Sequence, residues 1–526
     1  MRPSKFELLE HRDVSSGTRA RRSPPTRRDF LKGGVAAIGS AAVLTHEAYA
    51  RDLIQRLNKQ RVVRPASPPS TFDRDLLALV NRTSFGFSKT TYDEAAALGY
   101  DDYLESQLDY ESIDDSDLDS RLEAYPTLTM TSQEIRDAYD NDTDQYVPTL
   151  ELMSAALERG AYSKRQLFER MVAFWTDHFN IDILDGFVIF LKTADDRDVI
   201  RQHAMTTFPE LLNASAHSAA MLFYLDNYTN IVGHAQENYA RELMELHTVG
   251  VTGPYTQLDV EEVARCLTGW TIYDTPNFGE FAFHPPFHDY DSKVVLGETI
   301  AAGGGESDGL TVLDMLAYHP ATAEFISRRL CRWFLGYNPP EDIVAAVSAK
   351  YMATGGDIKE MLRVILRQPI LMYRATPKLK RPLHQLLSMI RASNAEAQIG
   401  LAPNYPYLGV LLRMGQVPFY WPAPDGYPDA LEAWGSSQLP RWLAASWLFD
   451  GVLPATMDLD ALLDAEGGNR PGEQGGAINR ILTGGMMSTD EVDLLQQFYD
   501  DVSDGDALAL SDTFGLAASM PGAQWY

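Results

Sequence analysis

Leu167-Phe168-Glu169-Arg170-Met171-Val172-Ala173-Phe174-Trp175-Thr176-Asp177-His178-Phe179 decides the fold class. Its apolar residues, Leu167, Phe168, Met171, Val172, Phe174 and Trp175, recur at the spacing of one helix face. The arc is broad, so the pattern predicts a buried helix over 164–179. The same periodicity runs outward in both directions. It recurs at Leu76, Leu77, Leu79 and Val80, then over 92–98, 103–108, 311–332, 341–352, 358–366 and 383–397. Pro209 suits a helix start, with the pattern continuing to Leu225. A further helix is expected over 236–249, stopping at Gly250, and Asp259 suits the N-cap of the next. The exception is residues 279–297. There Phe281 and Phe283 alternate with small residues, Pro285-Pro286 interrupts, and the alternation resumes at Lys293, which predicts one β-hairpin. The expected fold is therefore mainly α: a large multi-helix domain with a small inserted β-hairpin near residues 279–297.

Composition bounds what such a fold can do. The 526 residues carry 45 Lys+Arg and 73 Asp+Glu, a net charge of −28. With hydrophobic residues at 45% and aromatics at 10%, the chain can bury a core and is not a disordered segment. An acidic balance of this size argues against nucleic acid as a partner, since few cations are present to displace counterions. Two cysteines supply no disulfide framework. Cys266 and Cys331 both lie in apolar helical surroundings, where buried free thiols are common, although an oxidising compartment would let them pair.

The charge is uneven. Residues 1–50 hold nine basic and five acidic side chains, leaving 36 basic against 68 acidic in the remainder, a net of −32. Arg27-Arg28-Asp29-Phe30-Leu31-Lys32 precedes a short apolar run and then Ala48-Tyr49-Ala50. A charged start, an apolar stretch and small residues form the layout of an export signal. The apolar run falls short of the roughly 20 residues that span a bilayer, and no later segment reads as a transmembrane span. The arginine pair resembles the twin-arginine signal. Residues 1–50 are therefore expected to be a signal peptide cleaved after Ala50, and the product periplasmic or secreted. Residues 51–72, basic and then Pro/Ser-rich, read as a linker, 73–450 as the helical core and 451–526 as a C-terminal extension packing on it.

Seven of the eleven histidines fall between His178 and His288. Histidine is the commonest neutral metal ligand and general base, so the enrichment marks this region for chemistry. Glu237-Asn238-Tyr239-Ala240-Arg241-Glu242-Leu243-Met244-Glu245-Leu246-His247 is the most concentrated polar stretch. On a helix Glu237, Asn238, Arg241, Glu242 and Glu245 share an arc of about 140°. They are either acid/base groups facing a cleft or a solvated i,i+4 ladder. His247 projects to the opposite side, as a core histidine. His288-Asp289 is expected at an exposed loop tip, where functional groups are often presented.

Phe174-Trp175-x-x-His178-Phe179, Arg201-x-His203-Ala204, Glu237 through Leu243, Glu245-Leu246-His247-x-x-Gly250, Leu267-Thr268-Gly269-Trp270 and His288-Asp289-x-x-x-Lys293 occur in order. Lys380-Arg381-Pro382 and Pro424-Asp425-Gly426-Tyr427 follow. Together they resemble the bacterial family called domain of unknown function 1800, over about residues 73–445. The resemblance implies an exported, mainly helical protein of unestablished activity. It also implies a partner, a co-encoded exported protein of the domain of unknown function 1501 family. The expected function is a metal- or cofactor-dependent enzyme, hydrolase or oxidoreductase. His178, His203, His217 and His288 are the candidate metal ligands, with a divalent metal as the cofactor such a set could hold. Glu237, Arg241, Glu242, Glu245 and Asp289 are the candidate catalytic residues. The rival expectation is a non-catalytic envelope or secreted binding protein.

Overall fold

The computed structural model describes residues 72–141, 143–502 and 509–526. The expected signal peptide and most of the expected 51–72 linker lie outside these. Within them the chain is mainly α, with three small two-stranded antiparallel sheets. The elements that position the site are α1 (Arg74–Thr83), α2 (Val147–Tyr162), α3 (Gln166–His178), α4 (Glu237–Glu242), α5 (Gln257–Cys266), strands β1 (Trp270–Ile272), β2 (Phe281–Phe283), β3 (Lys293–Val295) and β4 (Glu298–Ile300), then α6 (Ser307–Ala317), α7 (Pro320–Leu335), α8 (Pro382–Ala392), α9 (Gln438–Phe449) and α10 (Ala509–Ser519).

The 167–179 stretch folds as its periodicity requires. α3 buries Leu167, Phe168, Met171, Val172, Phe174 and Trp175. It also buries Glu169 and Arg170, each with a partner. Glu169 accepts from Arg201 at 2.5 and 3.0 Å, while Arg170 lies over the Trp333 ring, 4.7 Å from its centroid. The main hydrophobic core runs from Phe72 to Ala523, with a small second cluster of Leu379, Tyr427 and Trp434. α10 packs along α9, and the final residues pair by backbone with the segment before α8: Lys378 donates to Tyr526, Tyr526 to Lys378, and Lys380 to Gln524, at 2.8–3.0 Å.

Several local expectations change, and the helix expected over 311–332 divides into α6 and α7 where His319 caps α7 by accepting from the Ala321 N–H. The predicted single hairpin is two. β2 pairs back onto β1 (Trp270↔Phe283), and β3 pairs forward onto β4 (Lys293↔Ile300). The second turn is Leu296-Gly297, with φ of 50° and 84°, the doubly positive φ of a type I′ turn. Leucine at the first position conceals it in the sequence. The run from Pro209 to Leu225 breaks into Phe208–Ala216 and Ala219–Tyr224, because Ser218 caps the second helix by accepting from the Met221 N–H. Thr256, not Asp259, is the N-cap of α5, with Asp259 at the third position of a capping box. Finally, the helix expected over 236–249 becomes α4 followed by a π turn, Leu243–His247. There the Thr248 hydroxyl donates to the Leu243 carbonyl at 2.7 Å, and the Gly250 N–H donates to Met244.

Among the described residues no helix is long and apolar enough to cross a membrane. Cys266 and Cys331 are both buried free thiols, and burial pushes each up to about 12.

Candidate functional site

The candidate residues do not assemble as one site. Glu237, Arg241 and Glu245 form the solvated ladder: Arg241 reaches Glu237 at 3.0 Å and Glu245 at 3.5 Å, and Gln257 bonds both Glu237 and Arg241. The candidate ligands stand in four different surroundings. His178 is fully buried, its Nε2 3.1 Å from the His247 carbonyl oxygen. His203 is partly exposed near Glu210. His217 ends the Phe208–Ala216 helix, with Nδ1 2.7 Å from the Asn213 carbonyl oxygen and its ring against Trp270 and Phe281. His288 is buried with Lys293 and Asp308. Among the described residues no three His, Cys, Asp or Glu side chains are grouped to hold a metal ion.

His288-Asp289 is not an exposed tip. Asp289 accepts from Arg265 through Nε at 2.8 Å and Nη2 at 3.2 Å. The His288 Nδ1 lies 2.8 Å from the Thr268 carbonyl oxygen, and its Nε2 lies 3.2 Å from Asp308. These contacts tie the loop between the hairpins to α5 and α6. They are committed to architecture.

A different cluster forms where the C-terminal end of α3 meets α7, the 377–381 segment and the 418–429 loop. Asp177, nearly buried, accepts from Arg381 at 2.7 Å and from the Tyr427 backbone. Asn180 donates to the carbonyls of Trp421 and Ala423 at 2.9 and 2.7 Å, which fixes the loop path. Gly426 lies so close to α3 that a Cβ there would sit 2.0 Å from the Asp177 carbonyl oxygen, and its φ is +73°. Only glycine fits both demands. Asp429 accepts from Lys378 at 2.7 Å, and Arg332 donates twice to the Asp429 carbonyl. Asp425, exposed, accepts from the Trp421 indole at 2.9 Å.

Two charged groups beside this framework have no committed partner. Arg329 on α7, partly exposed, makes no hydrogen bond or ion pair among the described residues. Its guanidinium lies 6.0 and 5.8 Å from the Phe174 and Phe325 ring centroids. Burial pushes it down to about 10, partly offset by Asp177, Asp429 and Asp425, so it stays cationic at neutral pH. Glu242 at the end of α4 likewise has no such partner among the described residues. Its carboxyl is held above the ordinary glutamate value, first by burial and then by Glu245, with Arg241 opposing and Asp425 adding. Asp425 thus acts electrostatically on both groups. Close to Arg329 sit His178 and His247, both buried, their rings 6.1 Å apart. Burial and the Arg329 charge hold both neutral, His247 at about 3.

Of the sequence candidates, Glu242 belongs to this cluster and His178 lies against it. Lys380-Arg381-Pro382 and Pro424-Asp425-Gly426-Tyr427 are visible as motifs, though not as parts of one site. Arg329 has no local signal: it follows another arginine on an ordinary helix face. No curated protein and no solved structure matches the chain. The family model described as Protein of unknown function (DUF1800) matches residues 78–525, past the last of the motifs and through α10 to Trp525. The chain belongs to that family.

Proposed function

We propose that the protein is exported folded by the twin-arginine route and acts outside the cytoplasm as an acid–base enzyme. Glu242 is its proton-transfer group, and its partner is the co-encoded exported protein implied by the family resemblance. The observation that carries the reading is the free carboxyl of Glu242. A half-buried acid without a bonded partner costs stability, and such groups concentrate where a proton must be moved. General acid–base catalysis works best when the group's pKa approaches the working pH, and burial, Glu245 and Asp425 all move Glu242 in that direction. The π turn that follows α4 supports the same placement, since π turns recur at functional sites. It holds His247 in the core while Glu242 and Glu245 face outward. Proton transfer in a hydrolytic step is the chemistry that Glu242 supports best, with Asp425 acting on both it and Arg329.

An untargeted assay tests this reading. Purified protein is incubated with a metabolite extract of the producing cells, and mass spectrometry follows what disappears. The wild type is expected to consume at least one compound. Glu242→Gln should consume it about 100-fold or more slowly, and Glu237→Gln, on the solvated ladder, at the wild-type rate. Equal consumption by Glu242→Gln would exclude the proton-transfer role.

A further inference from the structure

We infer that Arg329 is the docking residue for an oxyanion group of the substrate, a carboxylate, phosphate or sulfate. This rests on the reading of Glu242 as the acid–base group of the same cluster. Every other cation in the framework is bonded. Lys378 holds Asp429, Arg381 holds Asp177, and Arg332 spends Nε and Nη2 on the Asp429 carbonyl. The carboxylates are correspondingly committed, Asp425 to the Trp421 indole. Arg329 is the surplus. In a chain with 73 acidic and 45 basic side chains, a cation has no shortage of available partners, so one left without a bond in a partly enclosed position is a built feature.

The surroundings fit an anion in two ways. Phe174 and Phe325 flank the guanidinium and reduce its hydration, which strengthens a charge-assisted bond to an incoming oxyanion. The planar fork of arginine matches two oxygens of one carboxylate or phosphate, a geometry that a lysine ammonium does not offer. The net negative body repels anions at long range, so recognition must be local, through a bonded contact.

The full mature chain is titrated calorimetrically with inorganic phosphate, inorganic sulfate and malonate at one fixed ionic strength. At least one of the three should bind saturably to the wild type. Arg329→Gln should weaken that binding about 10-fold or more and Arg329→Lys by less, in line with loss of a charged bidentate contact. Arg374→Gln, at an exposed pair with Asp342, should leave it unchanged. Which probe binds separates a phosphate or sulfate ester from a carboxylate. A purely structural arginine would show itself by a lower melting temperature in Arg329→Gln, whereas loss of an unpaired charge should leave it equal or higher. Arg329→Lys keeps the charge and folds in either case. No saturable binding of any probe to the wild type, or equal binding by Arg329→Gln and Arg329→Lys, would overturn the inference. Glu242→Gln should bind the probe as the wild type does. Binding that survives in a protein whose Glu242→Gln variant turns over normally removes the acid–base reading alone; absent binding with a dead Glu242→Gln removes this one alone.

Discussion

Asp308→Ala is expected to destabilise the protein by about 3–5 kcal/mol, the range for breaking a buried ion pair from one side. Lys293 Nζ lies 2.6 Å from Asp308 Oδ2 and also donates to the Asp289 carbonyl, and both side chains are within 2% of complete burial. His288 Nε2 is 3.2 Å from the same carboxylate oxygen. Removing the carboxylate leaves an ammonium with no charge partner in a place water does not reach, and that desolvation is what the variant exposes. Lys293→Met combined with Asp308→Leu should recover most of the loss, because the pair itself contributes less than its one-sided removal suggests. Urea unfolding followed by far-UV circular dichroism checks both variants. A loss below about 1 kcal/mol for Asp308→Ala would place this cluster among weak surface-type pairs.

Acid should unfold the protein through its buried histidines. His178, His247 and His384 are all held below the ordinary histidine value, chiefly by burial. An unfolded chain takes up these protons below about pH 6.5 while the folded chain refuses them, so stability present above that pH is lost as pH falls. For His247 the loss continues to about 3. His247 alone removes roughly 1.4 kcal/mol per pH unit, or about 2.7 kcal/mol by about pH 4.5. Glu158, Asp177 and Glu242, whose carboxyls are raised mainly by burial, act in the opposite sense, with Glu158 at about 7. Neither His247 ring nitrogen has a hydrogen-bond partner among the described residues, so His247→Leu sacrifices no bond. The variant should match the wild type near pH 7.5 and show an acid limb shallower by about one proton. Urea midpoints collected across pH report that slope, and an unchanged limb would mean His247 titrates alike in both states.

Much of the fold was legible because helix periodicity is local. The apolar spacing in 167–175 needs only neighbours three and four apart, and α3 follows from it. The strands were harder, since three-residue strands pair according to distant partners: Phe281–Phe283 could not reveal that Trp270–Ile272 was theirs. The ladder Glu237–Arg241–Glu245 was visible as one of two readings because i,i+4 contacts are also local. Glu242 is set apart from its neighbours by burial and by Asp425, 183 positions away in the chain. The same distance explains the cluster as a whole. Asp177, Arg329, Arg381 and Asp425 come from four separate segments, and Gly426 shows its purpose only once α3 lies against it. The histidine enrichment is local in sequence only: His217 stands at a helix end, His178 in the core and His288 beside the buried Lys293–Asp308 pair.

The central claim is that Glu242 is a free acid whose proton affinity is raised by its setting and by Asp425. Carboxyl-resolved NMR titration of Glu242, in the wild type and in Asp425→Asn, tests it most directly. The predicted result is a midpoint above that of an ordinary glutamate, moving down when the Asp425 charge is removed. A midpoint at or below the ordinary value, unmoved by Asp425→Asn, would contradict the account.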